Sequence, residues 1–137
     1  MSYAVTGALQ AAVYQVLVTD PALTDLIGGA VHDALPDPGA ALPPVYVLLG
    51  AEEARARDDA TAQGALIRFT LSVLGGPEGF AQVKAAAAAI CDALAPGLPD
   101  LARGRVISLR FERARAVRTG TQGGRRIDLR FAARVED

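Results

Sequence analysis

Apolar residues follow two distinct rhythms along this chain. Near its start Val5, Leu9, Val13 and the pair Val16 and Leu17 recur at spacings of three and four, with the helix-favouring Ala8 and Ala12 between them. That period lines one face of an amphipathic helix. Thr19-Asp20-Pro21 ends the pattern and opens a second, because an Asp N-cap followed by Pro at the first helical position is a start signal. Gly28-Gly29 then stops this short second helix, and the proline-rich stretch DALPDPGAALPP, residues 33 to 44, is predicted to be an irregular loop.

From Val45 onward the rhythm shortens. Val45 to Leu49 is an apolar run between Pro44 and Gly50, too short for a buried helix and predicted to be a central strand. AEEARARDDATAQG, from Ala51 to Gly64, is charged and has no apolar period, so a long exposed loop is expected there. Across Gly64 to Leu74 the alternation returns: Ala65, Ile67, Phe69, Leu71 and Val73 point one way, Arg68, Thr70 and Ser72 the other, as in a half-buried strand. Gly75-Gly76-Pro77 breaks it. A helix is predicted from Pro77-Glu78, with Phe80, Val83, Ala87, Ile90 and Leu94 on one face and a run of alanines that lets it lie close to a sheet. After Ala95-Pro96-Gly97-Leu98-Pro99 come two more alternating runs. Ile107, Leu109 and Phe111 carry the first; Ile127, Leu129, Phe131, Ala133 and Val135 carry the second. The glycine-rich segment 119–124 joins them as the tip of an antiparallel hairpin. The order of elements predicts an α+β fold: a mainly antiparallel sheet of four to five strands, two or three helices packed on one face, and a C-terminal β-hairpin.

Composition fits one folded domain spanning residues 1–137. The 137 residues are 51% hydrophobic and 21% charged, enough to bury a core without disulfides or a structural metal. The longest apolar run, Ala85 to Cys91, falls far short of the roughly 20 residues of a membrane span, and the N-terminus lacks the basic region of a signal peptide, so a soluble cytosolic protein without membrane contact is expected. Charge changes the picture more. Ten arginines against four acidic residues from Arg103 to Asp137 give a local balance of +6, whereas residues 1–102 stand at −7, and the whole chain at −1. So dipolar a chain suits contact between unlike faces of neighbouring subunits as well as binding to a polyanion.

Candidate chemistry is sparse. GGPEGF, Gly75 to Phe80, sits where a phosphate loop sits but lacks the Gly-Lys-Ser/Thr ending, so it is read as a turn and helix start. Glu52, Glu53, Asp58 and Asp59 do not have calcium-loop spacing and are read as a solvated loop. His32 beside Asp33 has no nucleophile in an elbow context to serve. Cys91, the single cysteine, stands among alanines, the usual setting of a small buried thiol. No catalytic residue, metal site or cofactor is expected.

The arginine-rich hairpin leaves three readings open: a protein interface, a sequence-independent nucleic-acid surface, or a solvated sheet face. Its two phenylalanines, Phe111 and Phe131, are in phase with the apolar face and are expected in the core rather than as stacking platforms. Glu112 and Asp128 share the arginine-bearing faces, where cross-strand pairing is expected.

Taken in order, DPALTDLIGGAVHDALPD, PPVYVLLG, GGPEGFAQVKAAAAAICDAL and VISLRFERARAVRTGTQGGRRIDLRFAARVE resemble the tail-terminator, or tail-completion, proteins of long-tailed phages, and most nearly the version carried by gene transfer agents. The similarity runs from about Ala8 to Val135. It implies a non-enzymatic structural protein, assembled in the bacterial cytoplasm into the head-tail junction of a virion-like particle. There a homo-hexameric ring caps the head-proximal end of the tail tube, stops tube polymerisation and receives the head's connector or stopper. Partners would be further copies of itself, the tube protein and the connector or stopper, with DNA only passing through the lumen; a small DNA-binding or head-tail adaptor module is the alternative. In a closed ring one face meets a different face of the next subunit. The expected contact residues are Glu52, Glu53, Asp58 and Asp59 on the acidic side. On the basic side they are Arg110, Arg113, Arg115, Arg118, Arg125, Arg126, Arg130 and Arg134, with the glycine tip at Gly120, Gly123 and Gly124.

Overall fold

A computed structural model describes residues 3–34, 43–78, 80–120 and 123–137. Most of the predicted 33–44 loop, together with Gly79, Thr121 and Gln122, lies outside the described residues. Helices α1 (Val5–Thr19) and α2 (Pro21–Ile27) come first, followed by strands β1 (Val31–His32), β2 (Val45–Ala56) and β3 (Gly64–Gly75). Helix α3 (Ala81–Leu94) precedes the hairpin of β4 (Arg105–Thr119) and β5 (Gly124–Glu136). The five strands form one sheet in the order β1-β2-β3-β5-β4, antiparallel throughout except for the two-residue parallel pairing of β1 with β2.

Local signals in the sequence explain the helix ends. Asp20 accepts a hydrogen bond from the Leu23 N–H through its Oδ2 at 3.0 Å, which caps α2 with Pro21 at its first position. Gly28, at φ 61°, closes α2 in the left-handed region that favours glycine. Helix α3 starts at Ala81 rather than Pro77, with Phe80 at its N-cap and no side-chain cap.

All three helices pack on one sheet face. There the inward positions of β3 and β5, from Ile67 to Val73 and from Ile127 to Val135, meet Leu9, Val13 and Leu17 of α1, Leu23 and Ile27 of α2, and Val83, Ala86 and Ile90 of α3 in one continuous core. Gly75 of β3 lets α3 approach closely: a Cβ built there would run into the Val83 side chain.

Two expectations need correction. The 51–64 segment is not a loop along its whole length. Strand β2 continues through Ala56, paired with β3 from Glu52↔Phe69 to Ala56↔Ala65 after an irregularity between Leu49 and Glu52. Its side chains are nearly all exposed, so backbone pairing holds the extension, and no apolar alternation records it. The first run of the hairpin also differs. Strand β4 is the sheet edge and has bulges at Val106/Ser108 and Phe111/Arg113; Ile107 and Phe111 remain 43% and 49% exposed, whereas Phe131 is buried.

Candidate interaction surface

The sheet face turned away from the helices carries most of the chain's cationic charge. Registers across β2, β3, β5 and β4 place Arg55, Arg68, Arg105, Arg110, Arg113, Arg115, Arg126, Arg130 and Arg134 on this open side, with Glu53, Glu112, Asp128 and Glu136 as its carboxylates. Arg118 and Arg125, grouped with them in the sequence reading, stand in register on the helix-facing side. Arg125 lies over the Phe80 ring, 5.2 Å from its centroid, and donates to the Gly123 carbonyl. Arg55, Arg57 and Arg68 were absent from that group, although the outward position of Arg68 in β3 was legible as alternation.

The open face is partly neutralised from within. Arg68 Nε donates to Glu112 Oε1 at 3.1 Å, and Arg130 Nε and Arg110 Nη2 come within 3.5 and 3.8 Å of the same carboxylate. The bulge at Phe111/Arg113 inserts Glu112 as an extra residue among these three arginines. Asp128 accepts from Ser72 Oγ at 2.6 Å and from Arg126 Nη2 at 3.0 Å. Five more arginines than carboxylates remain, and like charges face each other at Arg113↔Arg130. Toward one end a groove of about 240 Å³ runs between Arg57, Arg68, Arg110 and Arg134 over a floor that includes Leu66 and Ala132. The lining guanidinium groups suit carboxylate or phosphate oxygens.

The predicted acidic partners have local roles. Asp59 Oδ1 accepts from the backbone N–H groups of Thr61 and Ala62, each at 2.8 Å, and from Thr61 Oγ1 at 3.1 Å. These bonds hold its carboxyl below the ordinary aspartate range. Asp58 accepts from the Gly64 N–H at 3.0 Å, closing the turn between β2 and β3, and Glu53 is bridged to Arg55 at 3.0 Å. Glu52, exposed and opposite Phe69, belongs to the helix-facing side. The structure therefore does not gather the four carboxylates into one acidic patch. At the hairpin tip Gly120 and Gly123 have φ of 67° and 77°, and Gly124 begins β5.

Among the described residues no group of three or more His, Cys, Asp and Glu side chains is placed to hold a metal ion, and no helix is long and apolar enough to cross a membrane. His32 pairs edge-on with Tyr46 at 6.2 Å. Cys91 is half-buried; burial, with Asp92 beside it, pushes its thiol pKa up.

The family model described as "Tail completion protein gp17" matches residues 11–136. A chain in the solved structure titled "Virion of native gene transfer agent (GTA) particle" is 50% identical, with a TM-score of 0.90, over 99% of this chain and 100% of that one. Among curated proteins none is significantly similar.

Proposed function

The chain belongs to the tail-completion protein gp17 family, and from that premise we propose that it is the terminator of the tail of a gene-transfer-agent-like particle. In this reading several copies, six by family resemblance, close into a ring on the head-proximal end of the tail tube. The ring ends tube polymerisation, presents the surface on which the head's connector or stopper docks, and lets DNA cross its lumen. The chain turns nothing over. Assembly takes place in the bacterial cytoplasm.

The observation that carries the reading is the family match over residues 11–136 together with the 50% identical chain of a gene transfer agent virion, and the uneven placement of charge along the fold fits it. Residues 1–54 contain no lysine or arginine, whereas the open sheet face and edge strand β4 are dominated by arginine. Heterologous contacts, which close rings, need two different and complementary faces. The test is imaging of particles that carry this chain, together with tail lengths in particles that lack it. Density for the chain at the head-proximal tail end and overlong, headless tails without it are the expected results. Location at the tail tip, or normal tails bearing heads in its absence, would sink the proposal.

The arginine surplus on the open face favours direct DNA binding as a second reading. That reading predicts affinity of the isolated chain for duplex DNA that falls steeply and linearly in log salt; no measurable binding at low salt would exclude it.

A further inference from the structure

Strand β4 reaches beyond the helical layer. Helix α3 covers β3 and β5, and between it and the helix-facing side of β4 lies an open groove of about 300 Å³. Ala87, Ala88 and Cys91 of α3 form one wall, and Phe111, Ala114 and Ala116 of β4 the other. Phe111 rests edge-on against Phe131, 5.7 Å between centroids, yet is half exposed, and Ala88, Ala114 and Ala116 are exposed as well. Among the described residues Lys84 is the only charged one in the lining. A small-molecule pocket of this size needs several convergent polar groups to orient its ligand, and this groove lacks them. It is shaped for apolar side chains from another protein surface.

We propose that this groove receives helix α2 of a second copy of the chain, with Leu26 entering between α3 and β4. The inference rests on the ring reading above and names the seam. Leu26 is a large apolar residue 42% exposed on α2, and α2 packs on β2 and α3, three strands from β4 in the sheet order. The groove lies at the β4 edge and α2 on the β2 side of the sheet, two different surfaces, as a head-to-tail contact requires. Charge selects the same pairing. Asp20 and Asp25 are the charged residues of the α2 segment, while Lys84 of α3 lines the groove and Arg118 of β4 stands in register on the same side of the sheet. Groove against groove would set these cations against one another; groove against α2 sets them against carboxylates.

The seam is tested in particles built with the full chain. Copies per tail are counted by quantitative mass spectrometry, and Cys91, the chain's single cysteine, is alkylated in intact particles and in dissociated subunits. Incorporation is measured for Ala88→Glu, Leu26→Glu, and the double change Leu26→Glu with Ala88→Lys. Both substituted positions are exposed, so thermal midpoints of the isolated chains should match the parent. Expected are several copies per tail, alkylation at least ten-fold slower in particles, at least ten-fold loss of incorporation for each single variant, and recovery in the double. Several copies with Cys91 alkylated as fast as in the free chain, or single variants incorporated normally, overturn the seam and leave the ring standing. Slow alkylation without recovery in the double variant assigns the groove to another particle protein and overturns the second-copy occupant. One copy per tail overturns ring and seam together.

Discussion

Glu112 draws three guanidinium groups to one half-buried carboxylate, and its loss has a defined cost. In Glu112→Gln the bridge from Arg68 weakens and three cations face one another uncompensated. With the partners partly solvated, a loss of about 1–2 kcal/mol is expected in chemical denaturation. The same change raises the cationic surplus of the open face. If the arginines touch DNA directly, Glu112→Gln with Asp128→Asn strengthens low-salt DNA binding by the isolated chain; if they serve protein contacts alone, binding stays undetectable. Asp59 acts at the same scale through protons. Its folded pKa lies below that of the unfolded chain, so its contribution is complete above the ordinary aspartate range and is lost as pH falls through the lowered value. The amide proton shifts of Thr61 and Ala62 are expected to titrate together, with a midpoint below that of a free aspartate; a midpoint at the ordinary value would show that the turn does not depend on the carboxylate.

Among the elements, the two strands of the hairpin invite direct comparison, because their apolar runs look alike in sequence and differ in depth. Ile127→Ala empties a core position and is expected to cost about 2–4 kcal/mol. Ile107→Lys, on the exposed edge beside a bulge, is expected to stay within about 0.5 kcal/mol. Urea denaturation of both variants checks the pair. Gly75→Ala probes how closely α3 lies on the sheet: its Cβ meets the Val83 side chain, and overpacking there is expected to cost about 1–3 kcal/mol in the same measurement. Strands β3 and β5 and the faces of α1 and α3 were legible in the sequence because each buries one side, which alternation or a helical period records. The β2 extension buries only Ala54, and that in part, and leaves no such record. Nor does alternation announce bulges, so Phe111, in phase with the core on paper, ends half exposed at an edge. The cationic surface was legible as an arginine-rich hairpin. Its division into an open face and the helix-facing Arg118 and Arg125, and the use of Asp58 and Asp59 in their own turn, depend on registers and turn geometry that composition does not encode.

For the whole molecule, residues 1–54 hold no lysine or arginine while the open sheet face is rich in arginine, so any association through these charges is expected to depend on ionic strength. Reversing Arg113 and Arg115 to glutamate is expected to weaken assembly, with partial recovery on Glu52→Arg and Glu53→Arg if that strand meets them. Assembly unaffected by either change would remove electrostatics from the contact. Strand β4 has one more consequence, for the interval between synthesis and use. A fifteen-residue strand at the margin of a sheet exposes unpaired backbone groups on which another chain could grow a further strand, the first step toward fibres. Here two bulges interrupt the straight run of donors and acceptors, and arginines at 105, 110, 113, 115 and 118 ring it with like charge. Bulges and like charge thus disfavour backbone pairing between copies at this edge, so a partner at the β4 side is expected to recognise side chains rather than backbone.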